Sequence, residues 1–279
     1  MAFKTITTIL TELPDDQRAL DAATTLVRQN NGHLDVICLG VDRTQPGFYY
    51  AGANAMAVQS NLAEAEERAR ELEASVKPQL EGSDINWAAN ALAAQSAGLA
   101  QFLAYHTRFS DLAVLSQPYG DGKGYEHEAI VESALFDARI PVLVVPDESD
   151  LKAAPSRIVV AWNESAEALR AIRAALPLLI AADTVNIAVI DPPHHAPNRS
   201  DPGGALSQML ARHGVSAEVS VLAKTMPRVS DVIARHVSDQ DADMLVMGAY
   251  GHSRFRESIL GGATRNMLQQ TKTPLLMAH

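Results

Sequence analysis

One stretch of this chain is suited to chemistry that needs no side chain. It runs Met247-Gly248-Ala249-Tyr250-Gly251-His252-Ser253-Arg254 and resumes at Leu260-Gly261-Gly262-Ala263-Thr264-Arg265-Asn266-Met267-Leu268. Gly248 and Gly251 carry no Cβ, so their backbone can approach a ligand closely. Gly261-Gly262 opens a helical run to about Gln270, whose first turn presents N–H groups and the positive end of the helix dipole. Such groups suit an anion, above all phosphate. His252 and Arg254 are the first candidates to add positive charge, ahead of Arg256 and Arg265. Pairing with Glu257 or Asp243 is the competing use of these cations. A tight connection with no ligand is the plain alternative for the glycines.

These residues need a strand before them and a helix after them, and the sequence supplies both twice. Thr5–Leu10 and Ile158–Trp162 read as first strands, each followed by a polar break and a helix face. Second strands are expected at Leu34–Leu39 and Val185–Ile190, third at Ile85–Ala91 and Ala217–Leu222. Helices follow around Leu99–Tyr105 and Val229–His236. Fourth strands are expected at Asp111–Leu115 and Asp243–Met247, fifth at Pro141–Val145 and Pro274–Met277. The copies are offset by about 132 residues at the fourth strands and about 152 at the first. The first copy therefore holds an insertion of roughly 20 residues around Tyr49–Leu80, where a charged helix sits with Leu62, Ala65, Ala69 and Leu72 on one stripe. The second copy has a Pro/His/Asp/Gly loop there, Asp191–Gly204. Alternating strands and helices imply an α/β fold: two tandem open parallel sheets of Rossmann-like type, five strands each. The expected domains are 1–147 and 156–279, joined by a linker from Pro146 to Pro155.

The spacing Gly248-x2-Gly251-x9-Gly261 resembles the nucleotide-binding signature of the universal stress protein family. The Asp-x-Leu-Val-Met-Gly lead-in, the closing Pro-Leu-Leu strand and the tandem repeat resemble it too, over essentially the whole chain. The resemblance implies a fold like that of the adenine nucleotide alpha hydrolases. It also implies a cytoplasmic stress-response role with ATP, or ADP or AMP, bound in the second domain, with or without Mg2+. Gly248, Gly251, Gly261, Gly262 and Ala263 would then line the phosphates. Asn163 falls where ATP-binding members carry an aspartate for the ribose, and Ile190 where backbone meets the adenine edge. Two departures follow. Gly262 stands where a Ser or Thr is usual, with Thr264 two residues on either as a substitute or as a support for the helix start. Asn163 is neutral, so a charge-assisted hydrogen bond worth about 1 kcal/mol is lost. A ligand-free scaffold is the rival reading, its halves forming an internal pseudo-dimer through their fifth strands and chains pairing as homodimers. Slow ATP hydrolysis is a third reading, for which no general base stands out.

The first copy lacks the pattern. Ser116 stands in the place of Gly248, Thr11 in that of Asn163, and Glu128-Ala129-Ile130 where Gly261-Gly262 is expected. Asp121, Glu126, Glu128 and Glu132 would repel polyphosphate. Lys123 lies among glycines but outside any Gly-x-x-x-x-Gly-Lys-Ser/Thr pattern. This half is expected to hold no nucleotide.

Composition bounds the rest. Of the 279 residues 47% are hydrophobic, and the net charge is −10 with no Lys/Arg run, so nucleic acid is not an expected partner. No run of about 18 uncharged apolar residues suggests a membrane span. The start, Met-Ala-Phe-Lys-Thr-Ile, reads as the lead-in to a strand rather than a secretory signal. A lone cysteine, Cys38, forbids an internal disulfide and lies in an apolar run, as an inert core thiol would. His194-His195 has no further ligand at metal spacing, no Gly-x-Ser-x-Gly elbow occurs, and Trp87 and Trp162 are expected in the core.

Overall fold

The repeated sequence becomes a repeated set of backbone contacts. The computed structural model describes residues 3–43, 54–149, 151–152, 154–192, 201–250 and 262–279. They fall into two compact units, Phe3–Ile140 and Pro141–His279.

The first unit contains β1 (Thr5–Leu10), α1 (Gln17–Asn30), β2 (His33–Asp42), α2 (Asn54–Glu81), β3 (Asn86–Gln95), α3 (Leu99–Thr107), β4 (Leu112–Ser116) and α4 (Tyr125–Glu132). A π-helical turn, Ser133–Asp137, continues α4. The strands run in the order β3-β2-β1-β4, and the β3-β2, β2-β1 and β1-β4 pairs are parallel. The β-branched and aliphatic residues of β1, β2 and β4 are buried almost throughout, as a sheet covered on both faces requires. The inserted α2 lays Ala65, Ala69, Leu72, Val76 and Leu80 into the core, with Leu62 half-buried. It packs so closely that a Cβ on Gly40 of β2 would strike the Ala65 carbonyl.

The second unit contains β5 (Val142–Val145), β6 (Arg157–Trp162), α5 (Ala166–Ala181), β7 (Thr184–Ile190), α6 (Gly204–Arg212), β8 (Ala217–Leu222), α7 (Val229–Asp239), β9 (Met244–Gly248), α8 (Ala263–Gln270) and β10 (Leu275–Ala278). The order β5-β10-β9-β6-β7-β8 is parallel from β10 through β8, while β5 lies antiparallel to β10. The fifth strand of the first repeat thus completes the sheet of the second unit. The compact units divide at Ile140/Pro141, earlier than the boundary the sequence suggests.

Helix α6 is absent from the sequence reading, which ends its loop at Gly204 and resumes at Ala217. Its signal is short: Leu206 and Leu210, four apart, are the buried positions. Trp87 and Trp162 are half-buried rather than core residues, because each sits toward one end of its strand.

In both units an aspartate ahead of the fourth strand fastens the start of the first. Asp111 Oδ2 accepts from the backbone N–H groups of Lys4 (2.7 Å) and Thr5 (2.9 Å). Asp243 Oδ2 accepts from those of Ser156 (2.8 Å) and Arg157 (3.0 Å), and its Oδ1 takes the Lys152 ammonium. Burial opposes the charge on Asp243, but the hydrogen bonds from Lys152, Arg157 and Ser156 outweigh it and hold its pKa below the ordinary value.

Two outcomes follow. Asp243→Asn lowers stability in urea denaturation at neutral pH by about 1–2 kcal/mol. Because the folded pKa is depressed, that advantage of the wild type is present above the unfolded value of 3.8. It disappears as pH falls through the lower folded value. Cys38 is fully buried, and burial, with Glu73 beside it and Lys77 opposing, pushes its thiol up to about 12. Native protein at neutral pH therefore resists thiol alkylation, and one thiol becomes reactive in concentrated guanidinium.

Candidate functional site

In each parallel sheet the strand order reverses at one point, between β1 and β4 and between β6 and β9. Crevices for ligands form at such points, beyond the carboxyl ends of the strands. The second unit brings several of the expected residues there. Ala161 of β6 is level with Met247 of β9 and Ala188 of β7, so Asn163, Gly248 and Ile190 come to one end of the sheet. Gly262 caps α8 at φ −55° and ψ 155°, and Ala263 and Thr264 begin its first turn. Thr264, 2% exposed, accepts the Tyr250 N–H through Oγ1 at 3.0 Å, tying the chain after β9 to the start of α8. Tyr250 itself lies at φ 53°. Gly251, His252, Arg254 and Gly261, with Arg256, Glu257 and the pair His194-His195, lie outside the described residues.

Gly262, the cap residue of α8, has no side chain, and no side-chain cap forms there among the described residues. The backbone donors of α8 are therefore presented without a carboxylate or hydroxyl of its own cap in front of them. Other expected ligand groups already have work. Asn163 Oδ1 accepts the Ser165 N–H at 3.2 Å, and Ser165 Oγ in turn caps α5 by accepting from Ala168 N at 3.1 Å. The amide nitrogen of Asn163 and a second lone pair on its oxygen remain for another partner. The missing Cβ of Gly248 leaves room for protein rather than ligand: it would lie 2.8 Å from the Glu167 carbonyl carbon and 2.9 Å from Ala168 Cα. Beyond Gly248, Ala249 is fixed at both backbone groups, its N–H on Ala278 O (2.9 Å) and its carbonyl near His279 Nδ1 (3.0 Å). Asp243 stands at the far end of β9, occupied with Ser156, Arg157 and Lys152, and Arg265 is exposed on α8.

The corresponding place in the first unit is filled by its own side chains. Helix α4 starts at Tyr125 after Gly124, so its opening lies earlier than the constant offset between copies suggests. His127 closes this end: Gly124 N–H donates to its Nδ1 at 3.0 Å, and the His127 N–H returns to Gly124 O at 3.1 Å. His127 Nε2 meets Thr11 Oγ1 at 3.1 Å, and Thr11 Oγ1 donates to Asp16 Oδ2 at 3.0 Å. Asp16, 2% exposed, also takes the N–H groups of Thr11 (2.6 Å) and Glu12 (3.2 Å). The carboxylate of Glu126, 1% exposed, lies against the Cα of Gly124, where a Cβ would collide with it. The position that attracts an anion at a helix start thus already holds one.

Sequence reasoning did not find Ser165, His127, Asp16 or His279. Ser165 had a readable signal, a serine directly before Ala166-Glu167 at a helix start. The others act across distances that no local pattern encodes.

An open parallel sheet, covered by helices and carrying a glycine-opened helix at its switch point, defines the Rossmann-like α/β class. Comparison with known proteins narrows it. Residues 155–279 match the model of the universal stress protein family. A universal stress protein of Synechocystis is 26% identical over 137 residues, covering 49% of this chain and 46% of that relative. The match thus spans about half the length of that curated relative. The solved universal stress protein of Archaeoglobus fulgidus superposes with a TM-score of 0.75 at 14% identity, over 99% of this chain and 97% of that one. A solved putative universal stress protein of Pseudomonas aeruginosa gives 0.61 at 15% identity, over 99% and 92%. At those identities the two structures speak for the fold. The second unit is thus similar to the universal stress protein family, and the whole chain has the fold of these two solved structures.

Gly248→Ala tests the reading of that glycine as a packing residue. The added methyl meets the backbone of α5, so stability falls by about 1–3 kcal/mol in urea denaturation whether or not nucleotide is present.

Proposed function

We propose that the second unit binds an adenine nucleotide (ATP, ADP or AMP) and that the chain acts as a cytoplasmic stress-response protein. The observation that carries this is the opening of α8 at Gly262 without a side-chain cap, at the switch point of a universal stress protein domain. Backbone N–H groups of Gly262, Ala263 and the turn that follows hold the phosphates, with Gly251 and Gly261 giving close approach and His252 and Arg254 adding charge. The Asn163 side chain meets the ribose, and backbone at Ile190 meets the adenine edge. The first unit holds no nucleotide, because Glu126 and His127 already occupy the start of α4.

A second reading is a ligand-free scaffold. Its support is specific: Thr264 Oγ1 accepts from Tyr250, Asn163 Oδ1 accepts from Ser165, and the space at Gly248 is taken by α5. The antiparallel β5–β10 pairing favours the accompanying idea that the two repeats form an internal pseudo-dimer.

Isothermal titration with ATP, ADP and AMP separates the readings. The expected result is saturable heat with one site per chain, reduced more than about tenfold in affinity by joint Gly261→Val and Gly262→Val substitution. Absence of heat with all three nucleotides, together with no nucleotide released on denaturing the purified protein, leaves the scaffold.

A further inference from the structure

The first unit keeps a cavity of about 720 Å³ at the carboxyl ends of β1 and β2, within the size range of small-molecule sites. One wall is the inserted helix α2, held in place where Ala65 packs on Gly40 and where Arg68 Nη2 donates to the Val41 carbonyl at 3.1 Å. Thr11 and Glu126 lie opposite.

The charge of this cavity is one-sided. Glu12, Asp42, Glu64, Glu71 and Glu126 line it against two cations, Arg43 and Arg68. Arg68 is turned to a backbone carbonyl, and Arg43 pairs with one oxygen of Glu126. The other oxygen of Glu126 is buried and has no hydrogen-bond partner among the described residues. A buried carboxylate with an unmet oxygen is costly, and an incoming N–H donor relieves that cost. A positively charged donor, a guanidinium or an ammonium, also balances the surplus of carboxylates around the cavity.

We infer that this cavity is a binding site for a small organic cation carrying a guanidinium or primary ammonium, with Glu126 as its anchor and the α2 carboxylates Glu64 and Glu71 facing the rest of the molecule. Arg43 shows the fit. Its side chain is 65% exposed, yet its guanidinium already rests on Glu126. A ligand guanidinium takes its place. Polyphosphates are excluded by the same carboxylates. The site is separate from the glycine segment of the second unit and does not depend on it.

Agmatine, which carries one guanidinium and one ammonium, is the probe. Titration into the full chain gives saturable binding with one site per chain. Arg43→Ala tightens it by about threefold or more, by removing the competing guanidinium. Arg70→Ala removes an equal charge from the exposed pair with Glu66 and Glu67 on α2 and leaves affinity unchanged. Glu126→Gln weakens it more than about tenfold. If agmatine does not saturate, or if Arg43→Ala and Arg70→Ala change affinity equally, the binding is general attraction to an acidic protein and the inference fails. Should Glu126→Gln lose its cooperative thermal transition, the comparison of the two arginine variants decides the matter alone.

Discussion

A helix that begins beyond the end of a parallel strand leaves backbone N–H groups that something must satisfy, and much of this molecule turns on what does so. In the first unit the chain supplies the answer itself. Glu126 lies against Gly124, His127 bonds the Gly124 backbone, and a line of polar contacts runs through Thr11 to Asp16. In the second unit the residue that caps α8 is Gly262, which has no side chain to place there. The same architecture, repeated in one chain, places side chains at the helix start in one copy and a bare glycine cap in the other.

The order of elements was legible because each strand is a run of β-branched and aliphatic residues broken by polar or glycine-containing turns. The paired aspartates before the fourth strands were legible as a repeat, and their physical task became visible only in three dimensions, where each clamps two backbone N–H groups of a first strand. Helix α6 was missed because only Leu206 and Leu210 mark its buried side. Matching Glu128-Ala129-Ile130 to Gly261-Gly262 carries a constant offset across a loop of different length, and the helix starts earlier, at Tyr125. That shift matters chemically, since it brings Gly124 to the helix cap and Glu126 behind it.

The candidate site was legible as a segment and less so in its individual residues. Glycine announces missing volume without saying who occupies it. At Gly248 the occupant is the first turn of α5, and at Gly40 it is the backbone of α2. Thr264 accepts the Tyr250 N–H, a contact across fourteen residues that depends on the path of the intervening chain, while its own O–H remains a donor. Short-range patterns report what a residue can do; competition among neighbours decides what it does.

The antiparallel partnership of Val142–Val145 with Leu275–Ala278 has a consequence for how such a chain can be taken apart. The sequence pattern closes after the fifth strand, whereas the compact unit begins before it. A fragment cut after that strand deprives the remaining sheet of its flanking ribbon and bares an apolar margin to solvent, an invitation to self-association.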